Sequence, residues 1–156
     1  LHGSSAASDV YKRQGQWKPG NPVPTMGWDY ETVTKDNYQE YVIASPLQEN
    51  SFVAITLVWD RLVELNDKNK NEQYDLGETF EDQGLNNLDL YLMSTDSNNT
   101  SESVCRSISK VDNTEHIFCA VPSTGNYKIR VQYQQQMNLE NQPYGLAWWT
   151  VNSNKP

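Results

Sequence analysis

The chain has 156 residues, of which 37% are hydrophobic, 11% aromatic and 21% charged, with a formal net charge of -8 at pH 7. That length suits one domain with a real core. The negative charge argues against nucleic acid and anionic membranes as partners, because both are bound through basic surfaces, and no apolar run approaches the roughly 20 residues of a membrane-spanning helix. Abundant Asn and Gln, without long helical patterns, indicate an all-β protein of extracellular type.

The first residues of the chain do not resemble a natural leader. Residues 4–14, SSAASDVYKRQ, lack the apolar region of a secretion signal. They match the translation of a transposase-type sequencing adapter, so we interpret residues 1–14 as an artefact; the alternative is an ordinary disordered tail. On the adapter interpretation, a signal peptide or an upstream domain belongs before Gly15. Residues 15–27 are rich in Pro and Gly and are predicted to be a linker.

Short strands separated by turn signals recur through the rest of the chain. The segments FVAITLVWDR, NLDLYLM and NYKIRVQY alternate apolar and polar residues, as half-buried strands do. We predict an all-β fold: an antiparallel β-sandwich of jelly-roll type with seven to nine strands over residues 28–152, followed by a tail at residues 153–156. The alternation also predicts that each sheet packs on one face only.

The polar run NDKNKNEQYDLGETF lies between two of these predicted strands and has the spacing of a calcium loop. In a twelve-residue frame starting at Asp67, oxygen-bearing side chains occupy positions one, three, five, nine and twelve, which supply ligands in such loops, and position seven offers a backbone carbonyl. The predicted Ca²⁺ ligands are Asp67, Asn69, Asn71, Gln73, Asp75 and Glu78. One residue departs from the pattern, because Glu72 stands where a glycine normally permits a sharp turn. The alternative is a solvated polar loop.

The two cysteines lie on either side of the turn KVDNT in a predicted hairpin. A hairpin centred on Asp112 would place Cys105 directly opposite Cys119. A register shifted by half a residue would match the apolar faces better but would misalign the sulfurs, and only one register can hold. An exported protein favours oxidation, so a Cys105–Cys119 disulfide remains one of two open alternatives.

Aromatic residues suggest a second kind of function, binding to a carbohydrate or another polymer. Because Trp148 and Trp149 are adjacent, they point to opposite faces of a strand and at most one is buried in the sandwich. The only histidines are His2 and His116, and His116 is most simply an edge-strand surface residue. We therefore predict no enzymatic activity for this chain. The candidate binding residues are Trp28, Tyr144, Trp148 and Trp149.

The order of several short segments resembles a known family. GWDYETV, ITLVWDR, NNLDLYLMS, SKVDNTEHIF, STGNYKIRVQY and YGLAWW together resemble the C-terminal β-sandwich domain of secreted subtilisin-like serine proteases, with related jelly-roll modules in other exported bacterial proteins. The resemblance spans roughly Trp28 to Val151. Its most specific pieces are Thr56 to Trp59, Asn86 to Leu92, and Val111 to His116.

The resemblance implies a secreted, non-catalytic accessory domain that stabilises or positions the upstream domain of the same polypeptide. Members of the family often hold calcium, which strengthens the Ca²⁺ prediction for the Asp67–Glu78 loop. The catalytic residues of such proteases belong to the upstream domain, so none is carried over. A polysaccharide or protein substrate is a further predicted partner. Glu72 and the two cysteines are not features that the resemblance implies.

Overall fold

The computed structural model describes residues 16–151. The adapter interpretation of residues 1–14 and the predicted tail at residues 153–156 therefore fall on residues outside the described range. The described strands are β1 (Pro22–Val23), β2 (Met26–Thr34), β3 (Tyr38–Ile43), β4 (Phe52–Trp59), β5 (Val63–Asn66), β6 (Thr79–Asp82), β7 (Asn87–Ser94), β8 (Cys105–Ser107), β9 (Thr114–Ala120), β10 (Tyr127–Gln135) and β11 (Asn141–Val151).

Nine of these strands form the two layers of a β-sandwich. One sheet has the order β1-β3-β10-β7-β8, and the other has the order β2-β11-β4-β9. All neighbours are antiparallel except β1 and β3. The prediction of an all-β antiparallel sandwich is confirmed. Within residues 16–151 the one helical element is a 3₁₀ turn, Thr100–Glu102, and no helix there has the length and apolarity to cross a membrane.

The core forms between the inward faces of the two sheets. On β4 the alternate residues Val53, Ile55, Leu57 and Trp59 are buried, as their spacing predicts. They pack with the alternate leucines of β7 and with the apolar face of β10. Removing such a side chain from water contributes about 1.5–3 kcal/mol, so the alternation selects which face of each strand turns inward.

The outer face of the five-stranded sheet is also covered, which the alternation did not predict. Lys128 and Arg130 on β10 are each only 4% exposed. Both side chains bind Glu40, and both donate hydrogen bonds to Asn98 in the segment that crosses this face. The prediction that each sheet packs on one face only is therefore wrong for this sheet. The charges are tolerated because they are paired and hydrogen-bonded.

Residues 16–27, predicted as a linker, are part of the sandwich. β1 adds a parallel strand beside β3, and Val23 is completely buried. The Trp17 backbone N–H donates to the Trp28 carbonyl over 2.9 Å. The Pro and Gly content indicated a linker, but neither residue prevents short edge pairing.

The two cysteines lie in different sheets. β8 pairs with β7, whereas β9 pairs with β4, so the predicted hairpin does not exist and neither of its registers occurs. The structure instead joins Cys105 to Cys119 by a disulfide between the edge strands of the two layers. The bond thus closes one side of the sandwich.

Candidate functional site

The predicted calcium loop is the tip of a separate hairpin. β5 and β6 pair only with each other, and their last register pair joins Asn66 to Thr79. Residues 67–78 therefore form one closed connection, which we call the hairpin loop. The ring of Tyr74 in this loop stacks on that of Phe80 on β6 with centroids 5.6 Å apart.

Asp67 organises the first half of the hairpin loop. Its two carboxylate oxygens accept the backbone N–H groups of Lys70 and Glu72, each over 2.6 Å. Lys70 and Glu72 both have left-handed backbones, with φ of 62° and 61°. Partial desolvation acts to raise the pKa of Asp67, but the backbone N–H groups outweigh it and hold that pKa below its ordinary value. The carboxylate therefore favours its charged form, and it curls the chain around itself.

The structure does turn sharply at Glu72, where calcium loops usually place glycine. A left-handed conformation costs a residue with a Cβ roughly 1–2 kcal/mol relative to the right-handed region. The hydrogen bond from Glu72 to Asp67 offsets part of this cost. Glu72 therefore adopts the strained backbone conformation that glycine would adopt freely, and the loop keeps its bend.

Three predicted ligands converge at the tip. The side-chain amides of Asn69 and Asn71 lie 2.5 and 2.8 Å from the same oxygen of Asp75. The amide oxygens of Asn69 and Asn71 accept the backbone N–H groups of Asn71 and Gln73. These contacts bring positions three, five and nine of the frame together, as the spacing predicts.

Glu78 closes the loop without joining that group. It is buried, and its two oxygens accept the backbone N–H groups of Lys68 and Asp75, each over 2.9 Å. Lys68 also donates from its side chain to the Gly77 carbonyl. The predicted twelfth-position ligand thus holds the two ends of the loop together.

The donor set of the tip suits Ca²⁺ only in part. Ca²⁺ accepts amide and carbonyl oxygens as well as carboxylates, and Asn69, Asn71 and Asp75 are of this kind. The carboxylates of Asp67 and Glu78 are engaged by backbone N–H groups, as are the amide oxygens of Asn69 and Asn71. Nowhere in residues 16–151 do three His, Cys, Asp or Glu side chains come together as a metal-binding group.

The predicted binding aromatics divide between the core and the surface. Tyr144 and Trp148 are 1% and 2% exposed, so both are unavailable to a ligand. Trp148 donates from its ring N–H to the Pro24 carbonyl over 2.9 Å. Trp28 and Trp149 point outward from the four-stranded sheet and are 46% and 45% exposed. Only these two of the four candidates lie on a surface.

The sequence reasoning missed the neighbours of Trp28 and Trp149. The outer side of the four-stranded sheet also exposes Met26, Tyr30, Phe52, Val58, Phe118 and Val151. We call this surface the aromatic face. Strand alternation could have found most of it, since Trp28, Tyr30, Phe52, Val58, Phe118 and Trp149 are each next to a buried position. His116 is exposed there and its Nδ1 lies 2.9 Å from the Thr56 hydroxyl, which fits a surface histidine.

A comparison with known protein families identifies the family of this chain. The model of the bacterial pre-peptidase C-terminal domain matches residues 47–132, more than half of the sequence. The chain belongs to this family. Pre-peptidase C-terminal domains are non-catalytic accessory domains, typically C-terminal in secreted bacterial proteases. The matched segment contains the hairpin loop, whereas β2 and β11 of the aromatic face lie outside it.

Solved structures show the same fold at low sequence identity. The pre-peptidase C-terminal domain of a collagenase from Bacillus anthracis is 10% identical, with a TM-score of 0.53, over 86% of this chain and 99% of that one. The periplasmic inhibitor of g-type lysozyme PliG from Aeromonas hydrophila is 13% identical, with a TM-score of 0.54, over 88% of this chain and 94% of that one. No curated protein sequence matches this pre-peptidase C-terminal domain.

Proposed function

We propose that this pre-peptidase C-terminal domain is a calcium-stabilised accessory domain of a secreted subtilisin-like protease. In this proposal it packs beside the upstream catalytic domain and stabilises or positions it, and it performs no chemistry. Family membership supports the accessory role. The observation that supports calcium is the convergence of Asn69, Asn71 and Asp75 at a loop that Asp67 curls.

In this proposal the ion would bind oxygen atoms whose positions are otherwise held only by hydrogen bonds. The residues that would bind it are the tip group together with Asp67, Glu78 and the Gln73 carbonyl. Several acidic groups in one short exposed loop repel one another, and a divalent cation removes that repulsion. A ligand that binds only the folded state stabilises it by mass action.

The expected effect is measurable by thermal unfolding. Extracellular calcium modules have dissociation constants of about 0.1–1 mM, so 10 mM CaCl₂ is expected to add about 1.4–2.7 kcal/mol to the free energy of unfolding. For a domain of this size that corresponds to a rise in Tm of about 5–9 °C. The same concentration of MgCl₂ is expected to give a much smaller rise, because Mg²⁺ sheds its water reluctantly.

Variants separate calcium binding from general charge effects. Asp75→Asn keeps the shape of the side chain and is expected to remove most of the calcium-dependent rise. Asp96→Asn is the matched control, because Asp96 is an exposed carboxylate outside the hairpin loop. Glu72→Gly is expected to increase the rise, since glycine adopts the left-handed backbone freely. An unchanged wild-type Tm in CaCl₂ would refute the calcium proposal and leave family membership intact.

The sequence of the complete gene tests the proposed identity of the upstream domain. A longer genomic read through the codon of Gly15 is expected to encode a catalytic domain with a serine-protease nucleophile motif. A different catalytic domain upstream would replace the subtilisin-like assignment, and it would not affect the calcium experiment.

A further inference from the structure

The aromatic face carries no formal charge, although the chain as a whole is acidic. Charged residues make up 21% of the sequence, and the net charge is -8. None of the outward positions on β2, β11, β4 and β9, as the structure describes them, holds Asp, Glu, Lys or Arg. The largest apolar patch on the surface of a monomeric protein is often a binding site.

The residues of the face line up in rows across the four strands. One row joins Met26 on β2, Trp149 on β11, Ala54 on β4 and Phe118 on β9. Phe118 stacks on the neighbouring Phe52 with ring centroids 5.5 Å apart. The face therefore presents aromatic rings fixed by rigid strands, which is the arrangement that binds with little loss of side-chain entropy.

Small residues on β11 leave a trough between the rings. Gly145 pairs with Tyr30 on one side and with Val58 on the other, and Ala147 continues the same line. A depression of about 250 Å³ lies at this end, lined in part by Tyr30, Val58 and Gly145. Its one acidic lining residue, Asp60, follows the end of β4. The trough runs along β11 toward Trp149.

The size and charge of the face favour a thin, neutral ligand. Strand spacings of about 4.8 Å across and about 6.8 Å per residue pair along β11 give an area of roughly 500 Å². A stable protein interface needs roughly 800 Å² on each partner. A second copy of this chain would also bring a second net charge of -8, which opposes association.

A peptide chain fits this surface less well than a sugar chain. The sheet exposes side chains here, and β11 and β4 have strand partners on both sides, so the amides of a peptide bound over them would lose water without gaining partners. A pyranose ring presents C–H groups on its faces and hydroxyls on its rim. Tyr30 pairs with Gly145, four residues or about 13.6 Å from Trp149 along β11, so separate rings of one chain can lie on Tyr30 and on Trp149 while their hydroxyls reach Thr56, Thr114 or solvent.

We propose that the aromatic face binds a neutral polysaccharide chain along the trough of β11. This activity depends on neither the hairpin loop nor the upstream domain. It would hold the parent protein on a polymer surface while another domain acts.

The test is depletion of the purified 156-residue chain by microcrystalline cellulose, chitin and granular starch. At least one polysaccharide is expected to retain the chain, equally in 0.05 and 0.5 M NaCl and equally in CaCl₂ and EDTA. Trp149→Ala and Tyr30→Ala are each expected to weaken binding about tenfold, the effect of losing an anchoring aromatic. Ala147→Glu fills the trough with a charge and is expected to abolish binding.

Phe80→Ala is the matched control, because Phe80 is 61% exposed but lies on the hairpin, away from the aromatic face. It is expected to bind as the wild type does, and all variants are checked for folding by circular dichroism. The proposal is overturned if none of the three polysaccharides retains the chain, or if Ala147→Glu binds normally. Two other results would assign the face to a protein partner and would also overturn the polysaccharide proposal. One is retention on gelatin alone, and the other is a dimer of this chain that Ala147→Glu dissociates.

Discussion

Loss of the disulfide is expected to destabilise the domain by a calculable amount. Cys105 and Cys119 are 14 residues apart in sequence and join the edge strands of two different sheets. Reduction releases a loop of that length in the unfolded chain. The chain-entropy model gives about 3 kcal/mol for such a loop at 25 °C.

The corresponding change in Tm follows from the size of the domain. Unfolding entropy near the midpoint is about 2.1 cal/mol/K per residue, or about 290 cal/mol/K for the described range. A loss of about 3 kcal/mol therefore lowers Tm by about 10 °C. β8 has only three residues paired with β7, and apart from the disulfide it is joined to β9 through the Ser107 hydroxyl, which contacts Glu115 and His116.

The assay is thermal unfolding by circular dichroism with and without a phosphine reductant. The wild type in reductant and the variant Cys105→Ala with Cys119→Ala are expected to melt at similar temperatures, about 10 °C below the oxidised wild type. The variant itself is expected to be insensitive to the reductant. Two titratable thiols in the native wild type, or an unchanged Tm on reduction, would refute the reasoning.

Two further predictions concern single residues in the sandwich. Gly27→Ala is expected to lower the free energy of unfolding by about 1–3 kcal/mol in denaturant titrations. The reason is that a Cβ at this position would lie 2.6 Å from the ring of Trp148 and 2.8 Å from that of Trp17. Unchanged stability would contradict this packing. Asp89→Asn is expected to stabilise the domain at pH 7 in denaturant titrations, because burial raises the pKa of Asp89 even though the hydrogen bond from Tyr91 lowers it. A carboxyl whose pKa is raised in the folded state reduces stability as pH rises through that pKa. The stability gained by Asp89→Asn should therefore shrink toward pH 4. A gain that does not change with pH would exclude this cause.

The sequence predicted the sandwich well because its signal is local. Alternation with period two is a property of each strand by itself, and it identified the buried faces of β4 and β10 without knowledge of their partners. The hairpin loop was also found from spacing, and at its tip the amide nitrogens of Asn69 and Asn71 meet one oxygen of Asp75. Whether this loop binds calcium stays a prediction.

Pairing between strands was decided only by the tertiary structure. Cys105 and Cys119 looked like the two arms of one hairpin, yet β8 and β9 found partners in different sheets. A short turn signal cannot distinguish a hairpin from a crossing between layers, because both require only a change of direction. The buried state of Lys128 and Arg130 likewise depends on Asn98, about 30 residues earlier in the chain.

The sequence by itself thus determined most of the strand positions, the buried face of most strands and the oxygen-rich loop, because these depend on neighbouring residues. The tertiary structure decided that Tyr144 and Trp148 are core while Trp149 is surface, and it assembled the aromatic face from four strands. Such a face has no continuous sequence signature, because its members come from segments at both ends of the chain and meet only when the sheet forms.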